Sequence, residues 1–174
     1  MNFNDFDEFA FAQDTIKNIS YDKENREYMS NSQLKIFNFD KVKDNFVRKY
    51  SFAKQPKSVD GCIQKNDYVA LIEFKNGKID DKCKNDVYDK IFSSVFILSA
   101  IADEKISNLK NICQFILVYN QSKNRDFVIS FNLNKDAKQQ SKTFDLSGYE
   151  KLFFSKTHIF SQNDFENFLN NFDQ

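Results

Sequence analysis

The sequence predicts an α/β fold, an α+β arrangement around a mixed sheet. Two observations carry this. Apolar patterning changes from a period of two to a period of 3.6 near Gly77. One long apolar segment of helical period, 82–102, then stands between two runs of strand composition, 68–75 and 111–120. A helix between two buried strands implies a crossover and some parallel pairing. A third observation sets the organisation. The 174 residues hold three Gly and one Pro, so a long flexible linker is not expected, and the chain reads as one domain, 1–174, with its core at about 40–133.

Taken in order, 5–20 has an imperfect apolar stripe (Phe6, Phe9, Ala10, Gln13, Ile16) and predicts an N-terminal helix. Residues 20–32 are polar and predict a loop or exposed turn. A helix is expected at 41–50, capped by Asp40, with Val42, Phe46, Val47 and Tyr50 on one face. Pro56 stops any helix beyond it. The runs 58–64 and 68–75 flank Lys65-Asn66-Asp67 and predict a hairpin, with Asn76-Gly77 as a tight exit. Asp80 or Asp81 can cap the helix 82–102, whose stripe of Val87, Ile91, Val95, Leu98 and Ala102 is widened by Phe92, Phe96 and Ile101. The near-continuous apolar run 111–120 predicts a strand buried on both faces. Residues 125–133 predict a further strand, 134–142 a polar loop, and 151–160 another strand. A C-terminal helix follows, with Ser161 and Asp164 in a capping arrangement and Phe165, Phe168, Leu169 and Phe172 on one stripe.

Composition narrows the function. Twenty-one Phe and no Trp point to a phenylalanine-rich core. Twenty-five basic residues balance 25 acidic ones, which is not the pattern of a protein that coats nucleic acid, although a local basic groove remains compatible with it. Cys62, Cys83 and Cys113 are isolated and have no metal-ligand spacing, so they read as free thiols of a cytoplasmic protein. The acidic start "MNFNDFDEFAF" is not a signal peptide, and no run reaches the ~20 apolar residues of a membrane span.

The stretch "YVALIEFKNGK" carries the chemistry. Glu73 and Lys75 are two apart on a strand and share a face. Asp60 stands upstream in "KSVDGCI", and hairpin pairing brings it level with 71–73. Two carboxylates at that range repel unless a cation lies between them, and Mg²⁺ takes such oxygen ligands with several waters. Lys75 can then position or deprotonate a water, or stabilise a pentavalent phosphate, which points to metal-assisted phosphodiester hydrolysis.

Asp60, then Glu73-Phe74-Lys75 closing an apolar strand, then Asn-Gly and an apolar helix, resembles the PD-(D/E)XK nuclease superfamily over roughly 40–120. The resemblance implies a restriction-endonuclease-like core of helix, three strands, helix and strand, here with extra N-terminal and C-terminal helices. It implies Mg²⁺ (or Mn²⁺) held by Asp60, Glu73 and the Phe74 backbone carbonyl, with Lys75 serving the attacking water. The first helix of the superfamily often adds an acidic residue; Asp44 is the candidate, ahead of Glu27 in its polar loop. Val59 replaces the usual proline, and the strand expected before Asp60 is short, at 50–53.

Other chemistry is poorly supplied. His158 is the only histidine and has no nucleophile elbow nearby, and no Gly-rich phosphate loop exists. Lys82, Lys84 and Lys90 can line a phosphate track or form a solvated helix face. Two functions follow. One is a Mg²⁺-dependent nuclease acting on DNA, with a homodimer needed to reach both strands. The other is a catalytically inactive relative that binds a protein partner, such as an immunity or regulatory factor. No membrane association is expected.

Overall fold

The computed structural model describes residues 1–66, 68–125 and 144–172. Its centre is a six-stranded mixed sheet of β1 (Gln13–Thr15), β4 (Lys35–Asn38), β5 (Gly61–Lys65), β6 (Tyr68–Lys75), β7 (Cys113–Tyr119) and β8 (Lys156–Ser161), in that spatial order. β1, β4, β5 and β6 pair antiparallel, whereas β6, β7 and β8 run parallel. The crossover between β6 and β7 is α3 (Asp81–Ala102), followed by the short α4 (Ile106–Ile112). The β5–β6 hairpin closes between Lys65 and Tyr68, with Asn66 in the left-handed region (φ 55°). Gly61 leaves room for the neighbouring strand, since a Cβ there would lie 2.7 Å from Ile36 Cδ1.

The sheet is covered on both faces. Val69, Leu71, Phe115 and Leu117 pack with Val87, Ile91, Val95 and Leu98 of α3, and with Phe39, Val42 and Phe46 of α2 (Phe39–Tyr50). Ala70, Ile72, Ile116 and Val118 pack on the other side with Ile16 of α1 (Ile16–Ile19) and with Phe165 and Leu169 of α6 (Gln162–Phe172). Each fully buried side chain of this size contributes about 1.5–3 kcal/mol. β6 is therefore buried on both faces, and its odd-numbered residues point at α3.

Several caps follow the sequence. Asp80 accepts the Cys83 N–H (2.8 Å), and Ser161 and Asp164 form a reciprocal capping box at α6. Asn38 rather than Asp40 caps α2, by accepting the Lys41 N–H (3.1 Å).

Other expectations are corrected. The helix expected at 5–20 is two 3₁₀ turns (Phe3–Asp5, Asp7–Phe9), then β1 and α1. Phe3 and Phe9 stack at 4.2 Å and Phe11 sits at φ 58°, so tertiary packing overrides a weak helical stripe. The polar stretch 20–32 holds a small hairpin, β2 (Tyr21–Asp22) with β3 (Glu27–Tyr28). The strand expected at 50–53 is absent, because Tyr50 ends α2 and Ser51 caps it in the left-handed conformation. Two strands, not three, separate α2 from α3; the remaining antiparallel neighbour, β4, precedes α2. The expected strand 151–160 divides into α5 (Ser147–Phe153) and β8, and the expected strand 111–120 begins at Cys113 after α4. The strand and loop expected at 125–133 and 134–142 lie outside the described residues from 126 onward.

Candidate active site

β6 delivers Glu73 and Lys75 to its α3-facing side, one after the other at the strand's carboxyl end. Asp60 lies immediately before β5. Its N–H donates to the Ile72 carbonyl (3.0 Å), which extends the hairpin register and sets Asp60 opposite Glu73. Asp60 Oδ2 accepts the Phe74 N–H (2.7 Å), so the strand end orients the carboxylate. The Phe74 ring turns to the other face of the sheet, edge-on to Phe165.

α3 completes the cluster. Asp86 and Lys90 are four apart and share one face of the helix. Lys90 Nζ lies 2.7 Å from Glu73 Oε1 and 3.6 Å from Asp60 Oδ1. Lys75 Nζ lies 3.0 Å from the same Glu73 oxygen and 2.9 Å from Asp86 Oδ2. Lys57 reaches Asp86 and Asp89, each at 3.0 Å. The groups thus alternate in sign from Lys57 through Asp86, Lys75, Glu73 and Lys90 to Asp60.

Burial makes these charges interact strongly. Glu73 is fully buried, and its Oε2 has no hydrogen-bond partner. Burial and then the Glu73 charge push Asp60 up to about 7. Burial works to lower Lys75 and Lys90, but Glu73 and the other carboxylates outweigh it and both are raised. Burial opposes ionisation of Asp86 as well, yet Lys75 and Lys57 hold it down at about 2.

The residues fit a hard divalent cation by two criteria. The donors are oxygens, as Mg²⁺ and Mn²⁺ require. The orphaned Glu73 Oε2 is a buried acceptor whose desolvation nothing offsets, and a cation would satisfy it. No group of three acidic, histidine or cysteine side chains converges among the described residues, so the remaining ligands would be backbone carbonyl and water.

A cleft of about 170 Å³ opens beside Asp60, lined in part by Tyr21, Asp22, Phe74 and Asn76. One wall of it is β2 of the small hairpin, with Ile19, Ser20 and Met29 beside it. Asn76 donates to Asp22 (3.0 Å) and Glu27 (2.9 Å), and Lys123 pairs with Glu27 (2.7 Å). Asn120 donates to Asn76 (2.7 Å). Asn124 accepts the Ile79 N–H (2.8 Å) and donates to the carbonyls of Gly77 (3.0 Å) and Asn120 (2.8 Å), which fixes the turn between β6 and α3.

The hairpin geometry brings together Asp60, Glu73, Lys75 and the Phe74 peptide. It does not bring Asp44, which pairs with Lys43 (3.2 Å) and lines a separate cleft of about 610 Å³ with Phe11 and Arg48. Asp44 falls outside the turn of α2 that faces the sheet, where Val42, Phe46 and Val47 are buried. Glu27, the lesser candidate, borders the Asp60 cleft through Asn76. Lys90 belongs to the cluster rather than to an outer track; Lys82 is exposed and Lys84 pairs with Asp81 (3.1 Å). His158 lies on β8, bonded to Gln114 (3.0 Å) and stacked on Phe160, and burial lowers its pKa. Sequence reading missed Asp86 and the role of Lys90. Their i, i+4 spacing across from a Glu-x-Lys strand is the signal that could have found them.

Among the described residues no helix is long and apolar enough to cross a membrane. No family model matches the chain, and no curated protein or solved structure matches it either.

Proposed function

We propose that the chain is a Mg²⁺-dependent nuclease of the PD-(D/E)XK kind that hydrolyses DNA phosphodiester bonds. The observation that carries this reading is the meeting of Asp60, Glu73 and Lys75 at the carboxyl end of a strand buried on both faces. Asp60, Glu73 and the Phe74 carbonyl would hold Mg²⁺ or Mn²⁺, and the ion would activate water and offset charge on the phosphate. Lys75 is held in its charged form by Glu73 and Asp86. It therefore acts as a hydrogen-bond donor that orients water or a phosphate oxygen, not as a proton acceptor. Glu73 fixes the ammonium from one side and Asp86 from the other, so its direction is set before substrate arrives. Lys57 and Lys82, both exposed, are the groups available to meet the phosphate backbone. A second copy of the chain would serve the opposite strand of a duplex.

One observation favours the alternative, a nuclease-fold protein that binds a protein partner and does no chemistry. The site's own lysines already neutralise most of its carboxylates, Lys90 above all. The test is cleavage of linear, circular and branched DNA by the purified chain with Mg²⁺ or Mn²⁺. The nuclease reading expects cutting that EDTA stops and that Asp60→Asn removes. Absence of cutting, together with no Mg²⁺-induced shift in melting temperature, leaves the binding protein.

A further inference from the structure

Asp60 and Glu73 are drawn together by an ammonium group. Lys90 Nζ touches Glu73 at 2.7 Å and approaches Asp60 at 3.6 Å, the position between two carboxylates that a cation would take. We propose that Lys90 is the resident counter-cation of this pair and competes with the divalent ion for it, so that metal enters only as Lys90 leaves. The proposal rests on the metal-dependent reading above.

Three features support it. Glu73 is fully buried and its Oε2 has no partner, so the two ammonium groups gathered on its Oε1 do not satisfy the carboxylate. Four carboxylates, Asp60, Glu73, Asp86 and Asp89, face three ammonium groups, Lys57, Lys75 and Lys90, which leaves the cluster short of positive charge. Lys90 can move without unravelling the cluster. Its side chain is 19% exposed on a flexible stem, and Asp86, one turn earlier on the same helix face, offers it another carboxylate. Lys75 is held from two sides by Glu73 and Asp86 and would stay in place. Lys90 thereby sets the metal affinity of the site, separately from Lys75.

Mn²⁺ binding to the full chain, followed by calorimetry or by the spin resonance of free Mn²⁺, tests this. The proteins are wild type, Lys90→Met and Lys90→Gln, each checked for folding by circular dichroism. Gln keeps a donor for Glu73 without the charge, so it carries the test if Met does not fold. Both variants should bind Mn²⁺ about ten-fold more tightly than wild type, or bind it where wild type does not. Affinity that is unchanged or weaker in the folded variants overturns the role of Lys90 and leaves the metal site standing. Failure of all three proteins to bind Mn²⁺ overturns both.

Discussion

Replacing Asp60 with Asn measures what the carboxylate pair costs the metal-free protein. In the folded chain Asp60 is raised from 3.8 to about 7 by burial and by Glu73. A carboxyl raised in this way binds its proton more tightly when folded. Its stabilising contribution is complete below pH ~4 and is lost as pH rises through ~7. A shift of about three units corresponds to an upper bound on the order of 4 kcal/mol at pH 8. The side chain is 23% exposed, so solvent takes up part of this. Asn retains an oxygen for the Phe74 N–H and gives up only the 3.6 Å approach to Lys90. The metal-free variant should therefore exceed wild type at pH 8 by about 1–3 kcal/mol, or about 2–8 °C in Tm. The difference should shrink as pH falls from 8 and close only below pH ~4, where Asp60 is neutral in the folded and the unfolded chain alike. Thermal melts in EDTA from pH 5 to 8.5 read the difference. If wild type gains on the variant as pH rises, the carboxylate is not destabilised by its surroundings and the reasoning fails.

Glu73→Gln should act with the opposite sign, because it strips two lysines of their common partner; chemical denaturation should show a loss of about 2–4 kcal/mol. Asn124→Ala removes two hydrogen bonds to the β6–α3 turn and one to the Asn120 carbonyl, and leaves the Ile79 N–H unsatisfied, so a loss of about 2–3 kcal/mol is expected in the same assay. Lys75→Ala should bind Mn²⁺ as wild type does but lose DNA turnover; equal loss of both would place Lys75 in metal binding instead.

The legible parts of this chain were those where local sequence and tertiary demand agree. The run 68–75 and its exit at Asn76-Gly77 announce a buried strand and a turn, and hairpin register alone sets Asp60 opposite Glu73. The α3 cap was legible as Asp80 or Asp81, and Asp80 takes it. β4 was not, because four residues that abut a helix give no room for alternation, and Asn38 serves strand and helix cap together. The N-terminal stripe misled because Phe3, Phe9 and Phe37 cluster by ring packing rather than along one helix face. Asp86 and Lys90 were visible as residues but not as site members. Their role depends on the angle at which α3 crosses β6, which no local pattern encodes.

The bond between Glu166 and the loop at Ser30 and Asn31 has a consequence for biosynthesis. Glu166 on α6 accepts from the Ser30 hydroxyl (2.5 Å) and the Asn31 N–H (3.1 Å), across 136 and 135 residues. That loop continues directly from the small hairpin that walls the Asp60 cleft. During translation Ser30 emerges 136 residues ahead of its anchor, Glu166. A nascent chain can form the β5–β6 ribbon and the Asn76 bonds to the small hairpin early, but the loop at Ser30 and Asn31 has no anchor until α6 has left the ribosome. Fastening of this loop thus waits on a residue made 136 positions later.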